Sequence, residues 1–261
     1  MSGELDVISQ TPWENLRQYT DARIAQGRVG TSLPTSELLK FQQAHALARD
    51  AVNAEADFSV LSQSGLGQAS SGQHAALSVR SRAVHRSEYL RRPDLGRRLH
   101  PDSARLLLAA RTDPPPDVLI MVSDGLSALA AQSHALSVLD VLLPGLQDRG
   151  LTLAPLLLAT QARVALADEA AVILGARLSI HLIGERPGLS SPDSLGAYLT
   201  YQPGLQTFDA ARNCVSNIRP AGLDAGTAAR RLLYLAAESV RRGLSGVDLK
   251  DDSAGLNAAL D

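Results

Sequence analysis

The sequence predicts an α/β fold, with a Rossmann-like parallel-sheet domain preceded by a helical N-terminal region. From residue 117 onward, short apolar runs alternate with longer segments of helical apolar spacing, a pattern typical of parallel-sheet domains. The run Val118–Val122 is continuously apolar, which indicates a strand buried on both faces. Before residue 114 the apolar residues recur at helical spacing instead, so we expect helices there.

Length and composition limit the class of protein. The chain has 261 residues, of which 45% are hydrophobic and only 3% aromatic, so Leu, Ala, Val and Ile must build its core. The formal net charge is −2 and the pI is near 6.3, so no strong positive field attracts nucleic acid or an anionic membrane. We expect neither as a partner. The single cysteine excludes a disulfide framework and fits a reducing cytosol.

Two helices are predicted in the N-terminal region. The first covers residues 11–27, with Thr11 as its N-cap and Pro12 at the first helical position. The second covers residues 35–52 and rests on helical apolar spacing. The stretch 58–74 is rich in Ser, Gly and Gln, and we interpret it as a surface loop.

Arginine is dense between residues 80 and 98. Such a run is usually a solvated face. Its densest part, Arg92–Leu99, has no interleaved aromatic residue, which favours a partner surface or an anionic ligand over nucleic acid. A helix is predicted over residues 101–111. The prolines at 114–116 form a stiff linker, so we place a boundary between a helical region, 1–113, and an α/β domain, 114–261.

The α/β domain is predicted from apolar runs, turn residues and helical spacing. We expect strands at residues 118–122, 151–159, 178–183, 197–201 and 215–218, and helices at 127–146, 168–174 and 227–241. Right-handed crossovers make such strands parallel. The polar tail, 244–261, is expected to be loosely ordered.

Three of these strands end in unusual loops. The loops are Ser123–Ser127, Thr160–Val164 and the Pro-Gly and Ser-rich stretch after Gly184. In open α/β sheets the ligand crevice lies outside the carboxyl ends of the strands. We therefore predict that the three loops converge on one ligand edge.

Several residues in these loops and in a later strand are candidates for ligand binding. Ser123 and Asp124 offer a hydroxyl and a carboxylate at a helix start, and a helix cap is an equally good interpretation. Glu185 can accept a hydrogen bond from a ligand, or it can pair with Arg186. Cys214 is most simply a small buried hydrophobe, because no general base is placed beside it; a Cys214-dependent enzyme is a weaker alternative.

The sequence lacks the motifs of self-sufficient enzymes. It contains no Gly-x-Ser-x-Gly, no Walker pattern and no complete Gly-x-Gly-x-x-Gly. The histidines show no metal-binding spacing, and His181 is interpreted as a satisfied core residue of a strand. We assign no catalytic residue and no metal ligand to this chain.

Four motifs occur in the order Arg92–Leu99, Ser123–Ser127, Gly184–Leu189 and Arg212–Ile218. Together they resemble the small (light) subunit of ethanolamine ammonia-lyase, over roughly Trp13 to Gly246. The resemblance implies a lyase of ethanolamine degradation, an adenosylcobalamin-dependent radical enzyme that converts ethanolamine to acetaldehyde and ammonia. In that family a large TIM-barrel subunit holds the substrate, and the small subunit closes over the cofactor in a hetero-oligomer.

The resemblance also implies cofactor-binding residues. Carried over motif by motif, the family's cobalamin contacts fall on Val164, Glu185 and Cys214, and we add Arg186 from its position alone. The sequence has no Asp-x-His-x-x-Gly motif, which base-off cobalamin enzymes use to supply a histidine to cobalt. The resemblance therefore implies base-on adenosylcobalamin.

The sequence also bears on location. No secretory signal and no apolar stretch of about 20 residues is present, so we expect a cytoplasmic bacterial protein. Some members of the family carry a longer N-terminal extension that addresses them to a bacterial microcompartment, and no such extension is visible here. The alternative function is a stand-alone binding protein for a nucleotide-like ligand, without catalysis.

Overall fold

The computed structural model describes residue 8 and residues 12–66 and 76–253. Within this part the strands are β1 Leu77–Arg80, β2 Val118–Ser123, β3 Leu157–Thr160, β4 Leu178–Gly184, β5 Leu195–Tyr201 and β6 Arg212–Ile218. The α-helices are α1 Thr35–Asn53, α2 Ser59–Gln63, α3 Arg86–Arg91, α4 Pro101–Ala109, α5 Ala128–Gln147, α6 Leu166–Leu174 and α7 Ala225–Arg242. The predicted α/β class is confirmed.

The strands form one mixed sheet in the order β1-β3-β2-β4-β5-β6. The first four of these are mutually parallel, but β5 runs antiparallel to β4, and β6 antiparallel to β5. The expectation of a parallel sheet is therefore wrong for the last two strands. Their connections, residues 185–194 and 202–211, are too short for a crossover, so the chain turns straight back. The Rossmann-like description stays a prediction.

Helices cover both faces of the parallel part of the sheet. Val118, Ile120 and Val122 of β2 pack with α5 and α7, whereas Leu119 and Met121 pack with α4 and α6 on the opposite face. This explains the continuous apolar run that the sequence shows at β2, where every residue is buried. Helix α5 is long and apolar enough to cross a membrane by length and composition, but most of its apolar side chains are buried in this core.

The first predicted helix is largely wrong. Within residues 12–27 the structure has only a 3₁₀ helix, Glu14–Tyr19, with no buried residue. A short helix needs tertiary packing of its apolar face, and the side chains of Trp13 and Tyr19 remain exposed. The predicted N-cap, Thr11, lies outside the described residues. The second predicted helix is confirmed as α1.

The stretch predicted as a surface loop, 58–74, contains α2, whose Leu61 is only 2% exposed. Residues 67–75 lie outside the described part. Strand β1 was not predicted, because it ends at the first residue of the arginine-rich segment and shows no long apolar run. It pairs with β3, so the sheet includes a strand from the N-terminal side of residue 114. The division at residue 114 stays a prediction.

Strand β3 is shorter than predicted. Residues 151–156 contribute only an isolated bridge between Leu153 and Val118, and the ladder begins at Leu157. Pro155 lies in this segment and cannot donate to a ladder, which accounts for the late start. The other predicted strands and helices of the α/β domain are confirmed with small shifts at their ends.

The C-terminal tail is better ordered than predicted, as far as residue 253. Leu249 is 2% exposed, and the side-chain amide of Asn213 donates to the carbonyl oxygens of Gly246 and Leu249 at 3.1 and 2.8 Å. The tail therefore folds back onto the start of β6. Residues 254–261 lie outside the described part.

The loop after β2 sits directly on the end of β4. Gly125 has a φ of +50°, and a Cβ atom added there would lie 2.2 Å from the carbonyl oxygen of Gly184. The amide of Leu126 donates to that same oxygen at 2.8 Å. Only glycine allows this approach, because both the backbone conformation and the space exclude a side chain.

We predict that Gly125→Ala lowers the free energy of unfolding by more than about 2 kcal/mol. The strain of a positive φ and the steric overlap with the Gly184 carbonyl both contribute to this loss. Gly150→Ala is the matched control: its φ is +73°, but nothing lies within 4 Å of an added Cβ. It should lower the free energy of unfolding by only about 1 kcal/mol. Urea unfolding followed by circular dichroism measures both. Equal losses would contradict the close approach.

Candidate functional site

The three predicted loops converge at the carboxyl edge of β2, β3 and β4. They enclose a cavity of about 430 Å³, lined by Tyr89, Gly125, Leu126, Arg163, Val164, Ile183, Gly184, Glu185, Arg186 and Tyr198. The predicted convergence of the three loops is confirmed, and the binding of a ligand at this edge stays a prediction. Two larger clefts, of about 610 and 730 Å³, lie beside β1 and beside the 204–208 loop, but neither is lined by a predicted site residue.

Val164 lies in the loop between β3 and α6 and lines the cavity. Its side chain is half-buried, so part of it remains available to a ligand. Its carbonyl oxygen faces the protein and accepts from His181 Nδ1 at 3.2 Å and from the amide of Ala167 at 3.3 Å. The backbone is thus fixed from behind while the side chain faces the cavity.

Glu185 follows β4 directly and is held by the start of β5. Its Oε2 accepts from Ser194 Oγ at 2.6 Å, and its amide donates to the Ser194 carbonyl at 2.9 Å. Gly196 leaves room for the carboxylate, because a Cβ there would lie 2.6 Å from Oε1. Within the described part Glu185 forms no ion pair, so the predicted alternative of a pair with Arg186 is wrong. Arg186 is exposed and also lines the cavity.

Cys214 lies on β6 opposite Tyr198 of β5. The expectation of a small buried hydrophobe is wrong, because Cys214 is exposed. Through the register with Tyr198 and His181, its side chain lies on the sheet face that carries α6, but outside the apolar cluster that α6 covers. Partial desolvation raises the pKa of the Cys214 thiol, with a smaller opposite contribution from the Tyr198 hydroxyl and a further increase from the charge of Glu185. The thiol form is therefore favoured at neutral pH, which disfavours a nucleophilic role.

The structure thus brings Val164, Glu185 and Arg186 to one cavity. Cys214 does not line the cavity but lies opposite Tyr198, which does. The charge of Glu185 also raises the pKa of Tyr198, after burial and the neighbouring Cys214, so these three side chains are electrostatically coupled. Together the lining offers apolar surface, a carboxylate and arginine donors. This mixture suits a large polar ligand that presents amide or hydroxyl groups.

Ser123 and Asp124 do not line the cavity, because both are buried beneath it. Ser123 Oγ lies 2.7 Å from His181 Nε2. The Asp124 carboxylate accepts from the amides of Gln161 and Ala162 at 2.9 and 3.2 Å. The two residues therefore lie outside the lining of this cavity, and neither is the N-cap of α5.

The cap of helix α5 is Ser127, whose hydroxyl accepts from the amide of Ala130 at 3.3 Å. This residue ends the same predicted loop, so the loop supplies the cap three positions later than the sequence interpretation placed it. The earlier part of the loop is thereby free to face β3 and β4.

Arg86 is the charged partner of Asp124 and is only 8% exposed, although the sequence suggested a solvated arginine face. Its guanidinium donates to Asp124 at 3.2 Å, to the Gly125 carbonyl at 2.8 Å and to the Val52 carbonyl at 2.7 Å. Burial raises the pKa of Asp124, and the backbone amides and Arg86 oppose that rise. The pair joins α1, α3 and the loop after β2.

Tyr89 is a cavity residue that the sequence analysis missed. It is fully buried, its hydroxyl donates to the Ala162 carbonyl at 2.9 Å, and its ring lies near the guanidinium carbons of Arg86 and Arg163, 4.9 and 4.4 Å from the centroid. These cation–π contacts stiffen the cavity wall. One signal was available: Tyr89 is the only Phe, Trp or Tyr in the arginine-rich segment of a chain poor in aromatic residues.

Fold and site together define an α/β protein with a cavity at the edge of the sheet where its parallel strands end. Within the described residues no group of three or more His, Cys, Asp or Glu side chains is placed to hold a metal ion.

Comparison with known proteins identifies the family. The model of the ethanolamine ammonia-lyase light chain (EutC) matches residues 10–250. The chain is 53% identical to the ethanolamine ammonia-lyase small subunit of Azotobacter vinelandii, over 94% of this chain and 90% of the relative. The corresponding proteins of Pseudomonas fluorescens Pf-5 and Ralstonia nicotianae are 51% and 50% identical over 94% of this chain and 89% and 90% of their own lengths. The chain belongs to the ethanolamine ammonia-lyase light chain family.

We predict that Asp124→Ala lowers the free energy of unfolding by about 3–5 kcal/mol, because it leaves the buried Arg86 charge and two loop amides without their acceptor. Asp94→Ala is the control, since it removes an equally charged partner from an exposed pair with Arg92 and should change stability little. Urea unfolding followed by circular dichroism measures both. Similar losses in the two variants would show that the buried pair contributes little.

His181 makes stability depend on pH. Burial lowers the pKa of its imidazole from 6.5 to about 4, so between these values the unfolded chain binds a proton that the folded chain does not. Stability is therefore full above pH 6.5 and falls as the pH drops toward 4, by about 3 kcal/mol from this group. In His181→Asn the free energy of unfolding should decrease less between pH 7 and 4 than in the wild type. His45→Asn, at an exposed position, is the control and should show the wild-type decrease. A wild-type decrease in His181→Asn would refute the assignment.

Proposed function

We propose that this chain is the small subunit of an adenosylcobalamin-dependent ethanolamine ammonia-lyase, which converts ethanolamine to acetaldehyde and ammonia. It binds the cofactor against a catalytic large subunit in a hetero-oligomer. One observation carries the proposal: in a chain of this family, Val164, Glu185 and Arg186 line a single cavity at the shared strand edge. Val164, Glu185, Arg186 and Cys214 are the proposed cofactor-binding residues.

The chemistry of the cavity fits part of a cobalamin. The edge of a corrin ring carries amide side chains, which donate as well as accept hydrogen bonds. Glu185 supplies an acceptor, since only its Oε2 is engaged by Ser194, and Arg186 supplies donors. Val164 supplies apolar contact. A cavity of about 430 Å³ is too small for a whole cobalamin, which supports a site shared with a second subunit.

The base-on state is supported by the placement of the histidines. Among the described residues no histidine lines the cavity. His181, which lies beneath it, has both ring nitrogens engaged by Ser123 and Val164. The cavity residues would hold adenosylcobalamin in the base-on state, in which the protein supplies no ligand to cobalt and only shapes and orients the cofactor.

The role of this chain is binding and orientation. When bound, the cofactor supplies a radical by homolysis of its cobalt–carbon bond. Glu185 and Arg186 orient the periphery of the cofactor, and Val164 excludes water from the contact. Neither an acid, a base nor a nucleophile of the reaction is assigned to this chain, and the exposed thiol of Cys214 acts as a contact.

We also propose a cytoplasmic bacterial location and the division of the chain into regions 1–113 and 114–261. Limited proteolysis near residues 113–116 is the direct test of the division.

The proposal is tested by acetaldehyde release from ethanolamine with this chain, a large subunit and adenosylcobalamin, each omitted in turn. Activity only with all three components is the expected result. If a folded chain and a competent large subunit gave no activity with the cofactor, the stand-alone binding protein would be the better description. Alkylation of Cys214 that abolished turnover without weakening cofactor binding would favour a chemical role for the thiol.

Replacing Glu185 separates binding from chemistry. We predict that Glu185→Ala weakens the affinity of the complex for adenosylcobalamin about tenfold, the worth of one hydrogen bond to a charged group. Turnover at saturating cofactor should change less than twofold. Glu238→Ala, which removes a carboxylate paired with Arg241 on α7, is the matched control and should leave the affinity unchanged. Collapse of turnover with unchanged affinity would contradict the binding role.

A further inference from the structure

His181 lies beneath the cavity and connects two of its walls. It is 1% exposed in the middle of β4. Its Nε2 lies 2.7 Å from Ser123 Oγ at the end of β2, and its Nδ1 lies 3.2 Å from the Val164 carbonyl oxygen in the loop after β3. One imidazole thus spans from the end of one strand to the loop that follows another.

The partners of His181 define its tautomer. The Val164 carbonyl can only accept, so Nδ1 carries the proton and donates it. Burial lowers the pKa of His181 to about 4, so the ring is neutral at pH 7 and Nε2 accepts from the Ser123 hydroxyl. The partners and the burial of the ring together therefore define the proton positions of the network.

Each neighbouring residue of the Val164 loop has its own anchor. The amides of Gln161 and Ala162 donate to Asp124, and the amide of Arg163 donates to the Gly96 carbonyl at 2.8 Å. For Val164 the anchor is His181, because its other partner, the amide of Ala167, belongs to the first turn of α6. Loss of the imidazole donor would release Val164 and leave the other anchors intact.

We infer that His181 is a positioning residue for the cofactor cavity, which fixes the backbone of Val164 so that its side chain meets the ligand. This inference rests on the proposed function. It goes beyond the role of a satisfied core residue, because it predicts that cofactor affinity depends on one of the two hydrogen bonds of His181 and hardly on the other.

Two variants of similar size separate the two bonds. His181→Asn places an amide N–H near the position of Nδ1 and keeps the bond to Val164, whereas His181→Gln reaches toward the position of Nε2 and keeps the bond to Ser123. Both remove the ring and so carry a similar packing cost. Ser123→Ala removes the Ser123 bond from the other side and leaves the ring in place.

The experiment measures equilibrium binding of adenosylcobalamin to the assembled complex by ultrafiltration, together with turnover at saturating cofactor and the thermal unfolding midpoint. We expect His181→Gln to weaken binding about fivefold to tenfold, the worth of one hydrogen bond to a buried carbonyl. His181→Asn and Ser123→Ala should stay within about twofold of the wild type. Turnover at saturating cofactor should change less than twofold in all three.

Other outcomes overturn the inference. Equal affinities of the Asn and Gln variants for the cofactor would show that His181 only packs in the core. The same conclusion would follow if the loss of affinity in each variant were proportional to the drop in its thermal unfolding midpoint. If the Gln variant does not assemble, a fivefold loss in His181→Asn or Ser123→Ala is sufficient to refute it. Failure of the wild-type complex to bind the cofactor would instead refute the proposed function, so the two failures are distinguishable.

Discussion

The carboxylate of Asp124 is the interaction on which the functional edge of this protein depends. Three strands end there in loops, and loops at a sheet edge have no ladder of their own to hold them. Asp124 accepts from two amides of the loop after β3 and from Arg86 on α3. A buried carboxylate is costly unless it is satisfied in this way, so its position and those of its donors are determined together.

The sequence predicts the parallel half of the sheet well because long apolar runs and helical periodicity are local signals. It predicts the convergence of the three loops for the same reason, since strand direction follows from the crossovers. The directions of β5 and β6 depend on the lengths of their connections, and the register of the short β1 depends on its neighbour β3. Apolar periodicity alone therefore specifies neither the strand directions nor the register. The prediction of a helix over residues 11–27 was wrong, because apolar periodicity does not show whether the apolar face of a segment packs against another element.

The residues of the site show the same contrast between local sequence signals and contacts across the fold. Val164, Glu185 and Arg186 stand next to strand ends in the sequence, and the structure brings them to one cavity. The residues that hold the cavity, such as Arg86, Tyr89 and His181, come from distant elements, and their roles depend on burial and on hydrogen bonds across the fold. A run of arginines does not reveal which member turns inward.

The exposed position of Trp13 affects how this protein can be observed. It is the only tryptophan of the chain and is 66% exposed, in the segment that begins the short 3₁₀ helix Glu14–Tyr19. The core around the sheet contains none. The fluorescence emission of the indole therefore reports on the N-terminal segment and on any partner that covers it. It is insensitive to unfolding of the core. A shift toward blue emission on mixing with another subunit would register docking at that end of the molecule without any added label.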